Sequence, residues 1–164
     1  EVKLMNIPDW KDIYASKLVT AKEAISYIKS GDRVVTGHAA AEPTYLIDTL
    51  VDNYEMYENV EICHLVSLGE GKYTRPEMKG HFIFNGFFVS ACTREAVNNG
   101  SANFTPGFFH EVPKLFRTEM PVDVALVTAS NDIRLTELSS ASFPPVTLNF
   151  LLTVLNPFEY TVIV

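Results

Sequence analysis

Asp32-Arg33-Val34-Val35-Thr36-Gly37-His38-Ala39-Ala40-Ala41-Glu42-Pro43 joins a short apolar run to a turn of small residues and then to a helix start. The run 32–36 reads as a buried strand with Val34 and Val35 inside. Gly37 lets the backbone bend tightly, three alanines leave room for a group to approach, and Pro43 suits the first turn of the following helix. The free N–H groups of that helix point back toward the carboxyl end of the strand, the usual ligand crevice of open α/β sheets. A small-residue strand-to-helix turn that binds nothing has the same pattern, so both readings stand on spacing alone.

Upstream, Thr20-Ala21-Lys22-Glu23 is a capping box, in which the Thr20 hydroxyl and the Glu23 carboxylate satisfy free backbone amides. Ala21, Ala24, Ile25 and Ile28 then recur at helical spacing, and Lys29-Ser30-Gly31 supplies a cation and a glycine for the helix end. Trp10, Ile13 and Tyr14 predict a further amphipathic helix within 4–18. Downstream, Tyr45, Leu46, Leu50 and Val51 carry a helix to about Asn53, and strands follow at 60–67, 82–90 and 122–128. Between them lie the glycine-rich turn Leu68-Gly69-Glu70-Gly71-Lys72-Tyr73, a helix from Thr93 to a stop at Gly100, and a mixed segment 108–116 interrupted by Pro113. Strands alternating with helices predict an α/β fold, a mostly parallel sheet with flanking helices. Three strand ends then bring Gly37 to Pro43, Gly69 to Tyr73 and Ala91 to Arg94 to one side.

Composition narrows the function classes. At 164 residues and 47% hydrophobic, the chain can bury one sizeable core. A net charge of −7 supplies no cationic window for nucleic acid. Cys63 and Cys92 have no CxxC spacing, so neither a disulfide framework nor a zinc site is indicated. The amino-terminal residues lack a signal pattern and no early apolar run reaches spanning length, which predicts a cytoplasmic protein without a membrane segment.

Several ordered blocks carry a family resemblance. They are Thr20-Ala21-Lys22-Glu23-Ala24, Lys29-Ser30-Gly31-Asp32-Arg33-Val34-Val35, Gly37-His38-Ala39 with Glu42-Pro43, and Gly69-Glu70-Gly71-Lys72-Tyr73 followed by Pro76-Glu77. To these add Ser101-Ala102-Asn103-Phe104-Thr105-Pro106, Phe108-Phe109-His110-Glu111-Val112-Pro113 and Pro121-Val122-Asp123-Val124-Ala125. From about Asp9 to Thr128 the chain resembles the amino-terminal half of the acetyl-CoA hydrolase/transferase family, in its 4-hydroxybutyrate CoA-transferase branch. The resemblance implies a CoA-transferase-type domain, incomplete by itself, whose relatives move CoA between a thioester and carboxylates such as acetate, butyrate or 4-hydroxybutyrate. It implies coenzyme A as substrate rather than as a permanently bound cofactor. It also implies a glutamate that is acylated and then carries CoA, in a second domain across a cleft. No segment here matches that glutamate motif, so no catalytic residue is assigned, and the isolated chain is expected to lack transferase activity. The missing second domain is the expected partner. A face left uncovered without it predicts self-association, with a homo-oligomer as one form.

Departure from the family begins near Ala129. There is no glycine after Gly107 and no lysine after Lys114, and 139–164 contains the single charged residue Glu159. The reading is therefore a CoA-transferase domain over 1–128 and a divergent or frame-disrupted segment over 129–164. The alternative is a selected carboxyl-terminal segment in which 148–155 packs as a helix or strand.

The substrate and CoA cleft is assigned to Gly37, His38, Glu42, Pro43, Gly69, Gly71, Lys72 and Arg94. His38 can donate to an oxyanion or titrate near neutrality, or simply close a turn. Glu42 can orient His38 or a ligand, or serve as a helix-start carboxylate. His38 and Glu42 lack a third ligand, so no metal is assigned. Gly69 and Gly71 allow close backbone approach. Lys72 and Arg94 offer charge to phosphate or carboxylate, unless Lys72 is a solvated loop cation and Arg94 pairs Glu95 or Asp123. Phe87, Phe88, Phe104, Phe108 and Phe109 are read as core in preference to an acyl pocket. Cys63 and His64 are read as packed in a strand, and His110-Glu111 as a brace near Pro113. An unrelated hydrolase using His38 and Glu42, and a non-catalytic CoA-binding or assembly module, are the other functional readings.

Overall fold

The computed structural model describes residues 16–130, 149–155 and 160–163. Its strands are β1 (Leu18–Val19), β2 (Arg33–Thr36), β3 (Val60–His64), β4 (Phe82–Gly86), β5 (Asn103–Phe104), β6 (Val124–Ser130), β7 (Asn149–Leu155) and β8 (Tyr160–Ile163). They form one sheet in the order β1-β8-β7-β6-β2-β3-β4-β5. From β7 through β5 every neighbouring pair is parallel, while β8 joins β7 and β1 joins β8 antiparallel. The mostly parallel sheet read from the sequence is present. The 148–155 segment contributes the strand β7, and Leu18, expected at the end of a helix, instead opens the edge strand β1. Ser16 and Lys17 just before it are helical as expected, and the 4–15 part of the expected helix falls outside the described residues.

Among the described residues the strands are accompanied by the helices α1 (Ala21–Ile25), α2 (Thr44–Asp52), α3 (Arg94–Asn98) and α4 (Val112–Thr118). The Thr20 hydroxyl accepts the Glu23 amide at 3.2 Å, the N-cap half of the expected box. Helix α1 is shorter than the apolar spacing suggests. It closes after Ile25, where the Ser26 hydroxyl donates to the Glu23 carbonyl, and Gly31 sits beyond it with φ +86°. Pro113 lies in the first turn of α4, where its missing N–H costs nothing, so it starts that helix rather than interrupting the segment. Where a helix might follow β3, the chain makes two 3-10 turns, Lys72–Thr74 and Pro76–Met78.

Period-two alternation places Val34, Ile62, Phe84, Val124 and Leu126 on one sheet face, packed with Ala24, Ile25, Leu46 and Leu50 of α1 and α2 into the main core. The other face buries Cys63, Phe87 and Met120, with Val35, Leu115 and Phe116 against them. Val35 is thus only half-buried and belongs to this smaller cluster. Among the described residues no helix is long and apolar enough to cross a membrane.

Chain order sets where a cleft can open. The chain runs β2, β3, β4, β5 outward in one direction, then returns to place β6 on the opposite side of β2. Connections leave β2 and β6 in opposite directions, which makes their carboxyl ends a topological switch point.

Candidate functional site

The turn after β2 folds back hard on itself. The Gly37 amide donates to the Leu126 carbonyl at 2.7 Å, and Ala39, at φ +52°, donates to the Val66 carbonyl at 2.8 Å. A Cβ on Gly37 would lie 2.4 Å from the Ala41 backbone oxygen, so only glycine fits this position without moving the turn. His38 is exposed at the mouth, with its ring edge-on to Phe109 at a centroid distance of 6.2 Å. Pro43 is buried at the start of α2.

Glu42 points neither at His38 nor freely into solvent. Its Oε2 accepts the Leu68 amide at 2.8 Å and the Gly69 amide at 2.9 Å, and the Ser67 hydroxyl donates to the same carboxylate at 3.3–3.4 Å. A Cβ on Gly69 would meet Glu42 Oε1 at 2.6 Å, so a side chain there would displace the Glu42 carboxylate from its present position. Ser67 in turn lies 3.4 Å from the Cys92 sulfur, and Cys92 Sγ lies 3.2 Å from the Ser90 hydroxyl. The Glu42–Ser67–Cys92 relay therefore joins the ends of β2, β3 and β4, the three loops that the sequence brings to one side. Charge-assisted bonds to backbone amides are among the stronger hydrogen bonds, and they tie the Glu42 carboxylate to the loop after β3.

Below this relay sits a buried pair. His64, the last residue of β3, is fully buried, and its Nδ1 is 2.9 Å from the Tyr73 hydroxyl. Burial pushes the Tyr73 phenol far above its ordinary range, so it stays protonated in its hydrogen bond with Nδ1. Burial also pushes the His64 ring down toward its neutral form. The Glu42 charge and the Gly37 backbone work against this, and His38 works with it. On the other sheet face, burial raises the Cys63 thiol to about 12, which leaves it an inert packing group.

The remaining predicted site residues divide. Gly71 takes φ +61° and opens the Lys72–Thr74 turn. Lys72 is committed to Asp48 of α2 at 2.8 Å, with Glu70 at 3.8 Å, and the Asp48 hydrogen bond holds its ammonium above the usual lysine range. Arg94 is exposed on a shallow depression with Ala91, Glu95, Asn98 and Asn99, and forms no ion pair among the described residues. The alternative pairing with Asp123 is taken up by the Arg33 amide. Glu111 accepts the Phe108 amide at 3.1 Å, a local brace as expected. Among the described residues no three His, Cys, Asp or Glu side chains gather as a metal site.

Two features differ from the sequence reading. Phe87 is buried, but Phe88, Phe104, Phe108 and Phe109 are 47–71% exposed and, with Leu68, form an aromatic rim at the loop end instead of core. Ser67, Tyr73 and Cys92 were not singled out for the site. Their signal is faint: Ser67 directly precedes the glycine turn, and His64 follows Val60 and Ile62 on the core-facing alternation, where a polar residue needs a partner.

A family model for the acetyl-CoA hydrolase/transferase N-terminal domain matches residues 3–134. The chain is 50% identical over 123 residues to a 4-hydroxybutyrate coenzyme A transferase of Clostridium kluyveri, covering 74% of this chain and 29% of that protein. It is 37% identical to a succinyl-CoA:cyclohexane-1-carboxylate CoA transferase of Geobacter metallireducens, covering 68% and 25%. Among solved structures it resembles RipA from Yersinia pestis (TM-score 0.66, 27% identity, 74% of this chain and 31% of that one). It also resembles a 4-hydroxybutyrate CoA-transferase from Porphyromonas gingivalis (TM-score 0.58, 31% identity, 74% and 27%). The chain thus spans between a quarter and a third of the length of these four proteins.

Proposed function

Since the chain belongs to the acetyl-CoA hydrolase/transferase family, through that family's N-terminal domain, we propose that it forms one wall of a CoA-transferase cleft. The wall is the loop cluster at the carboxyl ends of β2, β3 and β4. It faces an acyl-CoA thioester and a short-chain carboxylate such as acetate, butyrate or 4-hydroxybutyrate. The observation that carries this reading is the Glu42–Ser67–Cys92 relay, which fixes three loops at the switch-point end of the sheet. In this reading Gly37, His38, Pro43, Gly69 and Gly71 shape the wall, and Arg94, exposed and without an ion pair among the described residues, is a cation available to an anionic group. Lys72, held by Asp48, orders the loop.

The nucleophile lies elsewhere. A transferring glutamate must attack the thioester carbonyl to give a mixed anhydride and CoA thiolate, then receive CoA as a glutamyl thioester while the carboxylate departs. Glu42 accepts two backbone amides and a hydroxyl, so its carboxylate is engaged with the loop rather than free to attack a thioester. The second wall, with a glutamate free to react, is the partner this chain requires. The exposed rim of Leu68, Phe88, Phe108 and Phe109 favours self-association of the isolated chain in water.

Two measurements test the reading. Purified chain mixed with butyryl-CoA and labelled acetate is expected to show no exchange above background; sustained turnover would place a working nucleophile in this chain. Calorimetric titration with CoA is expected to give heat and a raised unfolding midpoint, both reduced by Arg94→Ala. Absence of both would remove CoA contact from this wall. A non-catalytic CoA-binding or assembly module is the second reading, favoured if CoA binds and no complementing domain restores exchange.

A further inference from the structure

After β3 the chain leaves the sheet and comes back to it within a few residues. His64 ends the strand, and Tyr73 returns to pack its ring on Phe84 of β4, with centroids 5.4 Å apart. Both side chains are buried, His64 at 0% and Tyr73 at 1% exposure, and the Tyr73 hydroxyl lies 2.9 Å from His64 Nδ1. That bond closes the neck of the segment 65–72 from the inside, which makes the segment a compact loop with joined ends.

The tip of the loop is held by a different element. Glu42, from the turn after β2, accepts the Leu68 and Gly69 amides. Ser67 stands between neck and tip. Its buried hydroxyl donates to Glu42, and while burial raises the Tyr73 phenol, the Ser67 side chain offsets part of that rise. The turn also meets the loop along its flank, where the Ala39 amide donates to the Val66 carbonyl at 2.8 Å, and the Gly37 backbone bears on the His64 imidazole. Lys72 holds the returning end through Asp48, but that ion pair is partly exposed, and such pairs are screened and weak. The interior bond is the better placed to fix the loop.

A buried phenol and imidazole lose hydration, and an apolar pair would fill the neck without that cost. What the polar pair adds is direction, because a hydrogen bond sets distance and angle where apolar contacts tolerate sliding. We infer that Tyr73 is a positioning residue of the loop cluster: its hydroxyl, latched to His64, sets where the loop 65–72 presents Ser67, Leu68 and Gly69 to Glu42, and through Glu42 the seating of the turn that carries His38. That the positioned surface meets CoA rests on the CoA-transferase reading. The latch itself does not.

The test reads backbone amides of the chain by NMR. Tyr73→Phe keeps the ring on Phe84 and removes the hydroxyl, and the Leu68 and Gly69 amide protons, downfield in their bonds to a carboxylate, are expected to move upfield together. A general loss of stability does not produce that paired shift. Phe84→Leu supplies the control, since it loosens the packing of the Tyr73 ring but keeps the hydroxyl, and it is expected to leave both amides in place. Unmoved amides in Tyr73→Phe, or equal shifts in Phe84→Leu, would overturn the inference. If Tyr73→Phe does not fold, Gly69→Ala reads the coupling from the tip, where its Cβ pushes on Glu42 Oε1. Shifts of the His64 and Tyr73 ring signals are then expected, and unchanged rings would overturn it. Calorimetric titration with CoA adds the functional arm: Tyr73→Phe is expected to bind about fivefold more weakly, as for one lost hydrogen bond. Equal affinity would overturn the positioning role, whereas a wild type that binds no CoA removes the cleft reading and leaves the amide shifts to decide the latch.

Discussion

The two ends of the central strands are built on different principles. Near the amino ends of β2 and β3 the strand charges are paired: Arg33 donates through Nε to Glu61 at 2.6 Å and through Nη1 to the Pro121 carbonyl, while its amide donates to Asp123. Asn85, toward the carboxyl end of β4, donates to the second Glu61 oxygen at 2.7 Å and accepts from Thr105 at 2.8 Å, so this polar ladder runs obliquely from the amino end of β2 to the residue after β5. At the carboxyl ends the buried hydroxyls of Thr36 and Thr128 go unpaired and a carboxylate is spent on loop amides. Saturation marks the end that holds the fold together. Unmet hydrogen-bonding capacity marks the other end.

The comparison breaks most visibly at Gly37. Gly37→Ala should lower stability by about 3 kcal/mol, because the added methyl meets a backbone oxygen rather than a movable side chain. Gly107→Ala, where nothing lies within 4 Å, should be close to neutral. Chemical denaturation of both variants checks this, and equal losses would mean that the tight fold-back at Gly37 carries no special constraint.

At the opposite end, Glu61→Ala should cost about 2 kcal/mol, since it strands a mostly buried Arg33 and frees Asn85. CoA binding by the surviving folded fraction should be unchanged. A loss of stability under about 0.5 kcal/mol would place the pair in the solvent-screened class instead.

The smallest effect is a pH dependence from His64. Burial holds the folded ring below its ordinary pKa, so the unfolded ring takes up its proton first as pH falls. The neutral ring therefore carries no penalty above about pH 6.5, and below it stability declines by at most about 1.4 kcal/mol per pH unit. Urea midpoints of wild type and His64→Gln between pH 7.5 and 5.5 isolate this slope. Equal slopes would show that His64 does not stay neutral in the fold.

Much of this was legible from residue spacing, because it depends on local chemistry. The Thr20 cap, the helix beginning after Pro43 and the tight bend at Gly37 follow from propensity and backbone sterics. The strands drawn over 60–67 and 82–90 end earlier, at His64 and Gly86, because the backbone beyond them leaves the ladder for the loops: the Val66 carbonyl accepts from Ala39, and the Leu68 and Gly69 amides turn to Glu42. That Glu42 would serve a loop 26 residues away, or that His64 would meet Tyr73, depends on strand order, which no local pattern encodes. The aromatic rim misled for a related reason, since hydrophobic spacing predicts burial but does not say against what.

Strand β1 has a kinetic consequence. Its two residues pair with β8, so Leu18 meets Ile163 across nearly the whole length of the chain. The contacts among β2, β3 and β4 close loops of a few tens of residues and can form early, whereas this outer edge cannot form until the last described strand is in place. During synthesis Leu18 and Val19 wait unpaired while the centre of the sheet condenses. The edge should therefore be the slowest part of the molecule to gain protection from hydrogen exchange during refolding.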